Sequence, residues 1–563
     1  MFQLQRLVLG LFIPVWLWAA SARPIRAEHG LVVSSQKLAS AAGVEIMKKG
    51  GNAVDAAVAT GFALAVVHPT AGNIGGGGFM VIRFADGKAV TIDYREMAPA
   101  RAHRDMYLTA DGSVDEYKSQ VGYLAAGVPG SVAGLCHALV TYGSLPLKTV
   151  MKPAIRLADK GFHLSEDQAR SFARLKSDFS RFPSSKKVFL KSDGTTYEAG
   201  ELFRQPDLAR TLKEIARSGG HAFYEGRIAE LIEADMAANG GLITRQDLAA
   251  YRAIERPPIM TTFHDVGVIS MAPPSSGGIA LAEMLNMLEM FDLKSLGHNS
   301  SAYVHVLSEA MKRAFADRAE FLGDPDFVQV PAQGLLSKSY ARSLFASFNA
   351  DKATPADFIK AGDPANWHES EQTTHYSVAD RNGTAVAVTT TLNGSYGSYA
   401  VVAGAGFLLN NEMDDFAAKP GSPNMYELIQ SEANAIVPGK RMLSSMTPTI
   451  LVRNGQLYLI IGSPGGPTII NTVLQVVLNV AQFNMDIQEA IDAPRFHHQW
   501  FPDEIRYERD GLVKDVLQRL TALGHKTADR SVIGEAEGIV YDQARKIYWG
   551  AADGRGEGTV VGY

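Results

Sequence analysis

Residues 53–67 (Ala-Val-Asp-Ala-Ala-Val-Ala-Thr-Gly-Phe-Ala-Leu-Ala-Val-Val) are apolar nearly all the way round a helix. A helix without a polar face must sit between other elements, so this segment demands a layered body with a deep interior. Its limits are written beside it: Asn52 offers an N-cap and Pro69 terminates it. A second helix precedes it over Lys37–Lys49, with Leu38, Ala41, Ala42 and Ile46 at helical spacing, and Gly50-Gly51 stops that one. Strands are expected at Val32–Ser35, Phe79–Phe84 and Val90–Tyr94. The middle third reads as mostly helical, clearest at Tyr303–Phe321 after a cap at Ser301. The last third is strand-rich, at Thr449–Val452, Leu457–Ile461 and Gly538–Tyr541. Helices on both sides of an apolar interior predict an α+β or α/β layered body, and a chain of 563 residues that is 46% hydrophobic can fill it.

The first 27 residues are expected to lie outside that body. Arg6 precedes the apolar run from Leu7 to Ala20, and small residues follow, with cleavage positions after Ala22 or Ala27, the layout of a secretory signal peptide. The run is short for a bilayer and Pro14 interrupts it, so export to the periplasm or medium is expected rather than a stable membrane span. Cys136 is the only cysteine, which excludes an intramolecular disulfide and suits a bacterial exported protein. With a net charge of −5 and no basic run, nucleic acid is not an expected partner.

The chemistry centres on a strand that begins straight out of a hydrophilic stretch. Residues 363–372 are polar and acid-containing, then Thr373–Ala379 and Thr384–Leu392 read as paired strands joined by Asp380–Gly383, whose Asn-Gly dipeptide favours a tight turn. Cleavage before Thr373 would give that residue a free α-amine beside its own hydroxyl, a nucleophile with a built-in base. The other reading is that threonine is simply a common strand residue. Rival sites are weaker. No G-x-S-x-G elbow, zinc helix or Walker loop is present. Ser275 and Ser276 lie in Pro273–Gly278, better read as a turn holding a neighbour close. His497 and His498 read as packed, hydrogen-bonded residues, and Gly75–Gly78 as a close backbone approach. No metal or other cofactor is expected. Gly465 and Gly466 follow an apolar strand and suit an oxyanion, or a plain turn. Arg95 is a candidate carboxylate clamp or a structural ion pair. The acids of Asn410–Asp415 either meet a substrate amine or are solvated.

In order along the chain, Gly50–Ala57, Asn73–Gly78, Tyr94–Pro99, Pro273–Gly278, Thr373–Ser377, Asn410–Phe416, Leu443–Met446 and Gly462–Gly466 closely resemble the landmarks of the γ-glutamyltranspeptidases, from about His29 to Tyr563. The resemblance implies an N-terminal-nucleophile hydrolase fold, a four-layer αββα sandwich of two stacked sheets flanked by helices. It implies self-cleavage between Gln372 and Thr373 into a large subunit (28–372) and a small one (373–563), interleaved as a heterodimer in one body. By that similarity Thr373 attacks the γ-glutamyl amide of glutathione or related compounds, Thr391 orients it, and Gly465 and Gly466 supply oxyanion N–H groups. Water, or an amino-acid or dipeptide acceptor, then takes the glutamyl group.

The same resemblance assigns the α-carboxylate to Arg95, Ser444 and Ser445, and the α-amine to Asn393, Glu412 and Asp415. A zwitterion calls for opposite charges on opposite sides of the pocket. Many bacterial members look to have glutamine where Glu412 stands. Pro420–Ser431 matches a lid loop that some members lack. Two alternatives remain: a glutaryl-cephalosporin acylase of the same family, whose substrate has no α-amine, and an inactive exported binding protein. Asn393 and Asp415 argue against the first, and Thr373, Thr391 and the glycine pair against the second.

Overall fold

The computed structural model describes residues 22–364 and 375–563. Ala53–Val67 is a helix, buried along its whole length. Asn52 caps it as expected, accepting from the N–H groups of Val54 and Asp55, while the Asp55 carboxylate accepts from the Asn52 N–H at 2.8 Å. The other signals also land: Lys37–Lys48 and Ser301–Phe321 are helices, the latter capped by Ser300 rather than Ser301, whose backbone is already helical.

Two large antiparallel sheets form the centre, each of seven strands among the described residues. In one the order is Thr559–Gly562, Gly30–Ser34, His375–Asp380, Ala385–Thr391, Gly77–Arg83, Ala89–Asp93 and Ile254–Arg256. In the other it is Ile25–Ala27, Ile547–Ala552, Glu537–Asp542, Gln456–Gly462, Thr449–Arg453, Val266–Ser270 and Ile259–Phe263.

Strand alternation sorts the core into layers. Tyr376, Val378, Val386 and Val388 face the helices Lys37–Lys48, Ala53–Val67 and Ser131–Tyr142. Their neighbours Ala379, Ala385 and Ala387 face the second sheet, meeting Ile450, Ile460 and Ile539. The far side of that sheet, Leu451, Leu459 and Ile461, packs on Gly277–Leu288, Ser301–Phe321 and Thr468–Ala481. Helix, sheet, sheet, helix is the expected αββα sandwich. The strand expected from Thr373 is described from His375 onward, and its turn forms at Gly383 (φ +86°), with the Asp380 N–H donating to Thr384 O at 3.1 Å. The Asp380 carboxylate also accepts from the Ala53 N–H at 2.9 Å, tying this hairpin to the start of the buried helix.

Candidate active site

Thr373 and Gln372 lie outside the described residues. The strand pair that follows them fixes the surroundings. Thr391 ends the strand Ala385–Thr391, and its carbonyl accepts from Asn73 Nδ2 at 2.7 Å. Asn73 Oδ1 in turn accepts from the Gly76 N–H and from Ser131 Oγ. The expected close approach at Gly75–Gly78 is real: a Cβ on Gly76 would lie 2.0 Å from the Thr391 carbonyl oxygen. Thr391 Oγ1 accepts from the Asn393 N–H at 2.7 Å and faces a cavity of about 300 Å³.

Gly465 and Gly466 line the same cavity, between the strand Gln456–Gly462 and the helix Thr468–Ala481. Both adopt the left-handed backbone (φ +132° and +58°) that favours glycine. Their carbonyls accept from the Thr468 and Ile469 N–H groups, and among the described residues their own N–H groups donate to nothing. Two unspent donors at the start of a helix are what a developing oxyanion needs.

Arg95, Glu412 and Asp415 lie deeper and are wholly buried. Arg95 Nη1 is 2.7 Å from Glu412 Oε2 and Nη2 is 2.6 Å from Asp415 Oδ2, with Glu96 Oε2 at 3.4 Å from Nη1. The charges expected on opposite sides are therefore in direct contact, because charges this deep in the protein must compensate one another. Arg441 also acts on Glu96 and Arg318 on Asp415, but these cations together do not offset the burial of the three acids. Burial, partly offset by Arg95, pushes Glu96 up to about 7, Glu412 well above the usual carboxylate range and Asp415 upward.

Among the described residues the buried Ser444 hydroxyl and Asn393 Oδ1 have no hydrogen-bond partner. Ser444 is held through its backbone, its carbonyl accepting from Ser276 Oγ at 2.6 Å, while Ser275 Oγ donates to Met446 O. Pro273–Gly278 is thus the holding turn expected of it. Ser445, also buried, follows directly. The loop 420–431 closes the pocket: Tyr426 Oη donates to Asn393 O at 2.9 Å, and Asn424 Nδ2 reaches Asp415 Oδ1 at 3.4 Å.

The histidines do other work. His497 is buried, hydrogen-bonded to Asn471 Nδ2 and Gln499 Oε1, and pushed by burial down to about 3. Among the described residues one trio has metal-like spacing, His305, Glu309 and His525. Lys312 Nζ and Arg313 Nη1 already stand 2.5 and 2.6 Å from the Glu309 carboxylate, leaving no use for a further cation. Sequence reasoning missed Asn73, Glu96 and Tyr426 as individuals, although each lies in a segment singled out for its neighbours.

Known proteins resemble this chain over nearly its whole length. The gamma-glutamyltranspeptidase family model matches residues 39–563. The glutathione hydrolase proenzyme of Escherichia coli (strain K12) is 49% identical over 533 residues, covering 94% of this chain and 91% of that protein. The Acylase ACY 1 proenzyme of Pseudomonas sp. (strain V22) is 38% identical over 96% of this chain and 94% of its own. The crystal structure of cephalosporin acylase from Bacillus halodurans superimposes with a TM-score of 0.87 at 27% identity, covering 99% of both chains. With nearly its whole length matched, this chain belongs to the gamma-glutamyltranspeptidase family.

Proposed function

We propose that this chain is an exported, self-processing glutathione hydrolase and γ-glutamyltransferase, acting on small γ-glutamyl compounds. Cleavage between Gln372 and Thr373 gives a large subunit ending at Gln372 and a small one of 373–563, which remain a heterodimer because their strands alternate within one sheet: Gly30–Ser34 and Gly77–Arg83 flank the hairpin from the other subunit. Export to the periplasm or medium follows removal of the N-terminal signal. Ile25–Ala27 pairs with the strand Ile547–Ala552, so cleavage after Ala22 rather than Ala27 leaves the sheet intact.

The Thr373 hydroxyl attacks the γ-carbonyl carbon, and the Thr373 α-amine takes its proton. An α-amine has an ordinary pKa of about 7.7–8.0, so it serves at neutral pH without strong tuning. The Gly465 and Gly466 N–H groups receive the oxyanion, and Thr391 orients the nucleophile; the C–N bond then breaks, the departing amine takes the proton back from the α-amine, and water or an acceptor amine later cleaves the Thr373 ester. The single observation that carries this reading is the surplus of acid around Arg95. A γ-glutamyl group brings an α-carboxylate, which takes Arg95 and the Ser444 and Ser445 side, and an α-ammonium, which takes Glu412, Asp415 and Asn393 Oδ1. That exchange replaces protein–protein ion pairs by protein–ligand ones and satisfies the unpartnered atoms.

A glutaryl amide offers no ammonium and would leave the acids as they are, so the acylase reading is the poorer fit despite the shared fold. Purified protein should run as two chains, the smaller beginning at Thr373, and release amine from a γ-glutamyl anilide. Thr373→Ala should stay one chain and be inactive. Efficient cleavage of that variant would mean that another protease does the processing and would end the self-cleavage claim.

A further inference from the structure

Two hollows meet at the Glu535 carboxyl. The inner one is the cavity of about 300 Å³ beside Thr391, Gly465 and Gly466. The outer one, of about 500 Å³, is walled by Asp167, Arg170, Arg174 and Glu557. Ser35, His68, Thr70 and Glu535 belong to both walls, so the two hollows form one trough running from the glycine pair to the surface.

The Glu535 backbone is anchored beside the glycines. Its N–H donates to Ser463 Oγ at 2.9 Å, and a Cβ on Gly465 would lie 3.3 Å from Gly534 Cα. Its side chain is left over: among the described residues the carboxyl accepts no hydrogen bond and joins no ion pair. At the outer end Arg170 is paired with Asp167, but Arg174 is exposed and unpaired among the described residues. The trough thus presents, among the described residues, an unpaired acid on the same wall as the glycine pair and an exposed, unpaired cation farther out.

We propose that this trough is the subsite for the acceptor and for the departing peptide, with Glu535 receiving the ligand's amine and Arg174 its carboxylate. The ligand class is an amino acid or dipeptide, a zwitterion with one end of each charge. The assignment rests on the reading above that a γ-glutamyl ester forms on Thr373.

In transfer, the acceptor ammonium gives one proton to the Glu535 carboxylate. The freed nitrogen bonds to the γ-carbonyl carbon, the ester bond to Thr373 Oγ breaks, and a second proton from the nitrogen restores the threonine hydroxyl. Glu535 then returns its proton to water. Burial, with Asp553, Glu557 and Asp167 adding and Arg495 opposing, pushes this carboxyl up to about 7. That lies within about one unit of an ordinary α-amine, so the proton moves with little penalty. His68, on the shared wall, is pushed by burial down to about 4 and stays neutral throughout.

The mature two-chain enzyme is given a γ-glutamyl anilide with glycylglycine or glycylglycinamide as acceptor, and transfer product is measured against free glutamate. Arg174→Gln should raise KM for glycylglycine roughly 3- to 10-fold while leaving the amide, which lacks a carboxylate, unaffected. Glu535→Gln should lower the transfer-to-hydrolysis ratio by about 10-fold or more and abolish its rise between about pH 6 and 8. Equal effects of Arg174→Gln on both acceptors, or an unchanged ratio in Glu535→Gln, overturn the assignment. Wild-type enzyme that hydrolyses the anilide but ignores both acceptors overturns the subsite while the hydrolase reading stands. Wild-type enzyme that does not hydrolyse it overturns the hydrolase reading itself.

Discussion

Two buried charge clusters in this molecule are built from the same residue types and behave in opposite ways. Around Arg95 a single guanidinium contacts the carboxyls of Glu96, Glu412 and Asp415. On the helix Ser301–Phe321 a single carboxylate, Glu309, contacts Lys312 and Arg313. Burial pulls both sets of carboxyls upward. At Glu309 the two cations outweigh it and bring the group down to about 2, whereas around Arg95 the acids stay high. The Glu309 set is also saturated: Lys312 donates to Thr354 O, Arg313 to Ser347 Oγ, and Glu309 Oε1 accepts from the Thr354 N–H. In the Arg95 pocket, Ser444 Oγ and Asn393 Oδ1 have no partner among the described residues. A buried cluster with its acids outnumbered is scaffold. One with surplus acid and idle polar atoms fits the proposed role of receiving a cation from outside.

The sharpest way to break this contrast is to remove the acid that is scaffold. Glu309→Gln leaves two buried cations uncompensated and should lose about 3–5 kcal/mol of stability, measured by denaturant unfolding of the two-chain protein. The activity per folded molecule should be kept. In wild type, the Glu309 contribution is present above the unfolded carboxyl pKa of 4.5 and is lost as pH falls through about 2. A loss below about 1 kcal/mol would erase the distinction.

Next in size, Asp415→Asn should weaken recognition of the substrate ammonium by about 2–4 kcal/mol, or roughly 30- to 1000-fold in kcat/KM for a γ-glutamyl anilide. A glutaryl anilide should suffer far less. Proportional losses on both would return Asp415 to the scaffold class. Arg95→Lys, which keeps the charge but not the planar fork, should raise KM for glutathione with self-cleavage intact.

The smallest effect sharpens the contrast by its sign. Glu96 has a folded pKa of about 7 against 4.5 unfolded, so its contribution is most favourable below 4.5 and is lost as pH rises through 7. Glu96→Gln should therefore raise the melting temperature at pH 8 by more than at pH 5. An equal shift at both pH values would show that Glu96 is held as an ordinary carboxylate.

Much of the scaffold was legible because its signals are local. Asn52, Pro69 and the apolar run between them mark one helix, and the turn chemistry of Asp380–Gly383 marks the hairpin. The holding turn at Pro273–Gly278 was readable as a turn, but what it holds, the Ser444 carbonyl, lies far along the chain. The proposed site residues were singled out through family landmarks in order, since no local rule marks Arg95 out. Even then their arrangement was misjudged: the acids were expected across the pocket from Arg95 and are found on it.

The sequence by itself determined the layered architecture, the caps and turns, the chemical types at the site and the position at which the chain is expected to cut itself. Those follow from periodicity, side-chain type and motif order, which are carried within short stretches. Tertiary structure alone decided which charges touch, which donors remain unspent and which acids hold protons. Those depend on burial and on partners that are not neighbours in the chain: Asn73 on the Thr391 carbonyl, Arg95 on Asp415, and Ser463 on the backbone of Glu535. Desolvation is a property of the packed interior, so the raised acids around Arg95 exist only once the interior has closed over them.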